Sequence, residues 1–166
     1  MPAREVLRYP HPALKREAAP VTDAAPAARV AGDLLDTMHA FTGCVGLAAP
    51  QIGEEVRVLV VDVTDHRRAT VAHGLLVLVN PTVTESSGAE VAREGCLSIP
   101  DLTANVRRAT AVVIEARTPA GAPVRLETEG FEARCLLHEI DHLDGILFLD
   151  RVDSLRRDVF RRKVYQ

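Results

Sequence analysis

Two histidines four residues apart, with a glutamate directly after the first, stand in the segment HEIDH at residues 138–142. In a helix, residues i and i+4 lie on one face, so His138 and His142 can direct two ring nitrogens at one metal ion. Glu139 lies about 100° around the helix from His138, where its carboxylate can reach a metal-bound water as a base. Charged, solvated helices also reach this spacing by chance. The motif therefore favours a hydrolytic metal site but needs further ligands.

A third protein ligand has to come from upstream, because no histidine follows His142 and no glutamate follows Glu139. The segment EGCLSIP, residues 94–100, holds Cys96 among Gly and Pro residues that disfavour a helix. A thiolate there, with two imidazoles, would suit Fe(II), Zn, Co or Ni and leave one position open for water or substrate. Taken alone, a cysteine is more often a small buried hydrophobic residue. The histidine pair is what favours the ligand interpretation.

The segment CVGLAAPQIG, residues 44–53, is rich in small residues. Small side chains permit close backbone approach, so an extended ligand could lie alongside Val45 and Gly46 as an added strand. Gln51 would then supply an uncharged amide donor. The alternative is a small-residue loop that packs closely on a helix and has no ligand.

The elements that must position these segments are mostly strands before the histidine helix. The apolar pattern predicts a helix from Asp23 as N-cap to about Thr42, ended by Gly43. Strands are predicted at 56–63 and 75–80, after which Pro81 redirects the chain, and a hairpin is predicted that turns near Ala120-Gly121.

The second half of the chain is predicted to end in two helices. One runs from about residue 131 to 143 and is stopped by Gly145. The other begins near Asp153 or Ser154 and carries an apolar side made of Leu155, Val159 and Phe160. The order of elements predicts an α+β fold, with antiparallel or mixed strands packed around the central HExxH helix and an additional C-terminal helix.

Composition sets limits on the class of protein. The chain has 166 residues, 47% of them hydrophobic, which predicts a single domain over residues 1–166. A net charge of -3 gives no basic field for nucleic acid. The N-terminus lacks an apolar signal core and no apolar run could cross a bilayer, so a cytoplasmic protein without membrane contact is expected. Three cysteines without dense spacing fit buried, catalytic or metal-bound thiols.

Together, and in this order, the three segments resemble the motifs of the peptide deformylases, which read G-x-G-L-A-A-x-Q, E-G-C-L-S and H-E-x-x-H. Here they stand as CVGLAAPQ, EGCLS and HEIDH, and the resemblance covers nearly the whole chain. It implies a single catalytic domain that removes the N-formyl group from the initiator methionine of nascent polypeptides and releases formate. It also implies Fe(II) as the metal, with zinc, nickel or cobalt as substitutes.

The resemblance carries residue roles with it. It implies that the metal is held by Cys96, His138 and His142. It implies that Glu139 is the general acid and base, and that Gln51 and the backbone N–H of Leu97 face the formyl oxygen. The positions expected to contact the substrate are Val45, Gly46, Glu94, Gly95, Phe131 and Cys135. Several of these side chains would equally suit a plain hydrophobic core.

Three further expectations concern partners and neighbouring residues. The basic tail from Ser154 onward resembles the helix by which some family members dock on the ribosome, although a solvated basic face is an equal alternative. A monomer is expected, and a deformylase of small N-formyl metabolites is the alternative function. Asp141 or Asp144 could orient a ligand imidazole or the helix end, or could pair with an arginine such as Arg108.

Overall fold

The computed structural model describes residues 3–163. The helices are α1 (Ala24–His39), α2 (Gly130–Leu143) and the one-turn α3 (Leu155–Asp158). The strands are β1 (Gly46–Ala48), β2 (Val58–Val61), β3 (Leu76–Ser87), β4 (Glu90–Cys96), β5 (Ile99–Arg108), β6 (Ala111–Arg117), β7 (Pro123–Glu129) and β8 (Val159–Arg161). None of the helices in this range has the length and apolar character needed to span a bilayer.

The strands form two antiparallel sheets, so the predicted α+β class is confirmed. The larger sheet has the order β1-β2-β3-β6-β7 and the smaller one the order β4-β5-β8. Among the described residues, β1 and β4 are therefore edge strands, each with one side free of a neighbouring strand. The predicted hairpin around Gly121 is present as β6 and β7.

β2 lies between the two long helices, which explains its uninterrupted apolar sequence. Leu59 and Val61 pack with the buried face of α2, whereas Val58 and Val60 pack with that of α1. All four side chains are fully buried. A strand buried on both faces needs apolar residues at every position and not at alternate ones. This packing fixes α2 against the larger sheet.

Two details of the first half differ from the prediction. Helix α1 ends at His39 and not near Thr42 as predicted, and Phe41 is outside the helix and 40% exposed. Pro81 does not redirect the chain, because β3 continues through it to Ser87. The register of β3 with β6 shifts between Val79 and Thr82, and a bulge tolerates a residue that lacks an N–H.

The predicted C-terminal helix is confirmed at its start, with Ser154 as N-cap, but its predicted length and apolar side are wrong. Only one helical turn forms, and the chain then pairs as β8 with β5, with Phe160 opposite Thr103 and Val159 opposite Ala104. Leu155 is 69% exposed, so the predicted apolar helix face has no core to pack on. Strand pairing instead satisfies the backbone groups along the outer edge of β5, which a helix would leave unpaired.

Candidate active site

A cavity of about 280 Å³ opens between α2, the end of β4 and the segment before β1. The predicted catalytic and substrate-binding residues all line it, namely Glu139, Gln51, Leu97, Val45, Gly46, Glu94, Gly95, Phe131 and Cys135. Two of the predicted metal ligands, Cys96 and His138, line it as well. The third, His142, lies one turn further along α2 and is buried behind the wall at 1% exposure.

The three predicted metal ligands converge. The ligand atoms of Cys96, His138 and His142 all lie within 4.8 Å of one another. The Cys96 Sγ is 3.3 Å from the His142 Nε2. Two ligands of one tetrahedral metal, with bonds of about 2.0–2.3 Å, are separated by about 3.3–3.6 Å. The separation of Cys96 and His142 therefore fits two ligands of one cation, and the three donor atoms are of the types that bind transition metals.

A tight hairpin aims the cysteine at the helix. β4 ends at Cys96 and β5 begins at Ile99, and these two residues face each other across the turn. The register shifts between Gly95 and Cys96. A bulge of this kind bends the strand and turns a side chain out of the regular alternation. Helix α2 meanwhile supplies the two histidines from one face, as their spacing predicts.

Glu94 orients the first histidine ligand. His138 donates its Nδ1 hydrogen to Glu94 Oε1 over 2.8 Å, which leaves its Nε2 for a cation. Glu94 also accepts two hydrogen bonds from Arg108, at 2.6 and 2.9 Å, and one of 2.7 Å from Arg134. Burial favours a higher pKa for Glu94, but the hydrogen bonds from His138 and Arg108 outweigh burial and hold that pKa well below its usual range.

The two aspartates considered from the sequence pair with arginines and not with a histidine. Asp141 accepts from Arg108 at 2.9 Å and from Arg151 at 2.8 Å. Asp144 accepts from Arg57 at 2.8 Å beside the end of α2. Pairing with arginine is thus what the structure shows. Through Asp141, a buried chain of alternating charges extends from the predicted metal site to the surface. Such a chain is stable only while every charge keeps its partner.

Glu139 lies against the backbone of β1. Glu139 is 5% exposed, and its Oε1 has no hydrogen-bond partner in the described part of the chain. A Cβ built on Gly46 would lie 2.8 Å from the Glu139 Oε2, so glycine is the residue that admits the carboxylate here. Burial raises the pKa of Glu139 to about 7, although the charges of His138 and Arg108 oppose the rise. A carboxyl group with this pKa can both accept and return a proton near neutral pH.

Gln51 holds its amide in a fixed direction. Its Oε1 accepts a 3.0 Å hydrogen bond from the backbone N–H of Ala48. Its Nε2 donates to the Ser98 Oγ at 3.1 Å and to the Cys96 Sγ at 3.5 Å. The donor end therefore faces the ligand thiol at the floor of the cavity, and Leu97 lies in the same hairpin and lines the cavity.

One side of the cavity contains residues that the sequence prediction missed. The ring of His66 stacks on Phe131 with centroids 4.2 Å apart, and the Arg68 guanidinium carbon lies 4.8 Å from the same ring centroid. Arg93 and Arg162 also line the cavity. These residues come from the loop between β2 and β3, from β4 and from the C-terminal segment. Their basic character was visible in the sequence, but their convergence was not.

The geometry of the site indicates a class of protein. A site that can grip one cation beside a buried carboxylate and a fixed amide donor belongs to the metal-dependent amide hydrolases. The family model described as Polypeptide deformylase matches residues 3–158. The chain therefore belongs to the peptide deformylase family.

Relatives and solved structures agree with this assignment. The chain is 43% identical over 164 residues to Peptide deformylase 2 of Vibrio cholerae, which covers 99% of this chain and 95% of that one. It resembles the crystal structure of a peptide deformylase from Legionella pneumophila with a TM-score of 0.84, at 37% identity and over 93% and 89% of the two chains. A Met-Ala-Ser-bound class I type b peptide deformylase from Acinetobacter baumannii also matches with a TM-score of 0.84, at 33% identity and over 91% and 100% of the chains.

Proposed function

We propose that this chain is a metal-dependent hydrolase that removes the N-formyl group from the N-terminal formylmethionine of nascent polypeptides in the cytoplasm and releases formate. A single catalytic domain would do this, organised around α2, which contacts β1, β2, β6 and β7. The observation that carries the proposal is the convergence of one thiol and two imidazoles within 4.8 Å, in a cavity that also holds Glu139 and Gln51. Family membership supports the same reaction.

Cys96, His138 and His142 would hold the metal. We propose Fe(II) as the cation, with zinc, nickel or cobalt as substitutes, since a thiolate with two imidazoles accommodates each of these. When bound, the metal supplies a Lewis acid beside the formyl group and makes a water molecule more acidic. The protein contributes the fixed positions of the donors, through the hairpin for the thiol and through Glu94 for the His138 ring.

The chain's own residues then handle proton and charge. Glu139 accepts the proton of the attacking water at its carboxylate and returns it to the leaving amine. Negative charge that develops on the formyl oxygen is met by the Gln51 Nε2 and by the backbone N–H of Leu97. Removing one such donor typically costs about 10²–10³ in rate.

The topology supports an extended peptide as substrate. Gly46 lies in β1 and Gly95 in β4, and both are edge strands that border the cavity. A substrate backbone could add to such free edges through main-chain hydrogen bonds, with Val45 as a further partner. The neighbouring relative bound to Met-Ala-Ser, a methionine-led tripeptide, is consistent with this path.

The methionine side chain would rest against Val45, Phe131 and Cys135. Phe131 and Cys135 are four residues apart on α2 and so occupy one face of the helix. Burial raises the pKa of the Cys135 thiol far above its ordinary value, so this side chain presents a neutral, weakly polar surface. Glu94 would support the pocket indirectly, because its carboxylate already binds Arg108, Arg134 and His138.

The experiment that tests the proposal measures formate release from formyl-Met-Ala-Ser by protein loaded anaerobically with iron, alongside metal analysis. Glu139→Gln should keep the metal and lose turnover, whereas Cys96→Ala should lose the metal. Near-normal turnover in either variant would contradict the assigned role. Faster turnover of formyl-methionine than of the tripeptide would favour the alternative, a deformylase of small N-formyl metabolites.

Ribosome contact and the monomeric state stay predictions. If the C-terminal segment contacts the ribosome, it does so as a short strand with basic residues and not as the helix that was expected. Cosedimentation of ribosomes with full-length protein and with a chain truncated at Asp153 tests the contact. Equal binding of both forms would remove the C-terminal segment from the contact.

A further inference from the structure

Three exposed arginines line the mouth of the cavity. They are Arg68 in the loop between β2 and β3, Arg93 in β4 and Arg162 after β8, and all three are exposed and line the cavity. They come from three separate parts of the chain, although the net charge of the whole protein is -3. The positive charge at this mouth is therefore a local concentration.

Two of these guanidinium groups are held in place by stacking. Arg93 lies 3.8 Å from the ring centroid of Phe160 and donates to the side chains of Asn105 and Thr103 at 3.1 and 3.3 Å. Arg68 lies over the ring of Phe131 and donates to the backbone carbonyl of residue 93 at 3.1 Å. Stacked guanidinium groups keep their edges free for further hydrogen bonds while losing little additional entropy on binding.

The third arginine lies against the edge strand itself. A Cβ built on Gly95 would come within 2.2 Å of the Arg162 Nη2. The Arg162 guanidinium thus covers the backbone of β4 directly beside Cys96, next to the free edge where a substrate strand would pair. β8 brings it there, through its pairing with β5.

None of the three has a carboxylate partner within residues 3–163. Arg134, the fourth arginine of the cavity, differs because it is buried and paired with Glu94. The negative charge of Glu94 is in turn paired with Arg108 and Arg134. The mouth therefore keeps an uncompensated positive charge that a ligand could neutralise.

The pKa of His66 is affected by the same positive charges. Burial and the positive charges of Arg68 and Arg67 lower its pKa. The His66 ring stacks on the ring of Phe131. The imidazole therefore lies among the positive charges of the mouth.

The positions of the arginines set where along a substrate the complementary charge would fall. Phe131 precedes His138 by seven residues of helix, which is about 10 Å along the axis. An extended peptide covers that distance in about three residues. Gly95 adjoins Cys96, so Arg162 lies closer to the metal ligands than Arg68 does.

We propose that Arg68, Arg93 and Arg162 form a carboxylate-binding rim that makes the enzyme prefer formyl peptides with a carboxylate one to three residues after the formylmethionine. The inference rests on the proposed function and names a class of its substrates. The carboxylate is either an Asp or Glu side chain or the free C-terminus of a short peptide. Both present the planar pair of oxygens that guanidinium groups bind.

The test compares matched peptides in formate release. Formyl-Met-Ala-Glu-amide against formyl-Met-Ala-Gln-amide isolates a side-chain carboxylate, and formyl-Met-Ala-Ser against its C-terminal amide isolates a terminal one. In the wild-type protein the carboxylate member of at least one pair should have a kcat/KM about three- to tenfold higher, as several partly exposed ion pairs would give. The ratio should approach one at about 1 M salt, where the screening length is about 3 Å.

Variants assign the preference to the rim. Arg68→Gln, Arg93→Gln and Arg162→Gln should each lower the ratio, and the triple variant should bring it close to one. Arg161→Gln and Arg67→Gln are the matched controls, since each removes an exposed adjacent arginine that does not line the cavity, and both should keep the wild-type ratio.

Equal kcat/KM within both peptide pairs in the wild type, or a preference that survives in the triple variant, would overturn the rim. The neutral peptides separate this failure from that of the proposed function. If they release formate while the ratios are near one, only the rim is wrong. If the metal-loaded protein releases no formate from any of the four peptides, the proposed function fails and the rim with it.

Discussion

Replacing Gly46 by alanine is expected to displace the carboxylate of Glu139, the proposed general base, without unfolding the protein. The new Cβ would lie 2.8 Å from the Glu139 Oε2, and ordinary contact begins at 3.4 Å, so the carboxylate must retreat by about 0.6 Å. The obstacle is the end of a flexible side chain and not backbone, which makes the shift cheap in folding free energy. A misplacement of about 1 Å can cost about 10² in rate, so we expect kcat to fall about ten- to a hundredfold.

The assay is formate release with kcat and KM determined separately, together with metal content and urea unfolding. Gly46→Ala should keep its metal and its unfolding midpoint. Gly32→Ala is the control, since a Cβ there meets nothing within 4 Å. Because Gly32 lies in the interior of α1, Gly32→Ala should leave kcat unchanged and stabilise the protein by about 0.5–1 kcal/mol.

A double-mutant cycle separates displacement of the base from obstruction of the peptide. Glu139→Asp shortens the side chain and removes the clash, so Gly46→Ala should cost much less in that background than in the wild type. An unchanged kcat in Gly46→Ala would refute the argument. An equal cost in both backgrounds, or a change confined to KM, would show that Gly46 acts on the peptide backbone alone.

Three other predictions follow from single contacts. Glu94→Gln should weaken metal binding about 10–100-fold, because the His138 ring loses the carboxylate that orients it; chelator competition measures this. The same change should lower the free energy of unfolding by about 3–5 kcal/mol, because buried arginine charge loses its partner; urea unfolding measures this. Arg68→Gln should raise the pKa of His66 in an NMR titration, because a neighbouring positive charge that disfavours the protonated ring is removed; an unchanged pKa would mean that the two side chains do not interact in solution. Gly145→Ala should destabilise the protein by about 1–3 kcal/mol in thermal unfolding, since its φ is +74° and a Cβ would lie 2.8 Å from backbone atoms; an unchanged melting temperature would contradict this.

The sequence could predict those parts of the site that depend on local geometry. Helical spacing alone places His138 and His142 on one face, and the Gly and Pro residues around Cys96 indicate the turn that the hairpin makes. The α2 boundary at Leu143 and the hairpin at Gly121 follow from the same kind of local signal. That the thiol meets the imidazoles was inferred by elimination and by resemblance, and the structure brings the three ligand atoms together.

The missed residues depend on tertiary contacts that no local pattern encodes. His66 and Arg68 reach Phe131 because their loop is held in place further along the chain, at His73. The backbone N–H of His73 donates to the buried Glu132 at 2.7 Å, and the His73 ring contacts the same carboxylate at 2.5 Å. A polar loop of this composition has no periodicity from which such a path could be predicted. The partners of Glu94 could not be predicted for a similar reason, since only the fold brings its carboxylate to Arg108, Arg134 and His138.

The wrong prediction at the C-terminus has the widest consequence for function. Val159 and Phe160 satisfy a helical apolar pattern and a strand pattern equally, and the free edge of β5 decides between them. Because β8 pairs on that side of β5, the outer edge of β4 has no strand neighbour within residues 3–163, and this is the edge to which we propose that a peptide adds. The same pairing delivers Arg162 to Gly95. A longer C-terminal helix would have left the second edge of β5 unpaired and the mouth without its third arginine. We therefore expect the short strand to contribute to the proposed substrate path as well as to the stability of the smaller sheet.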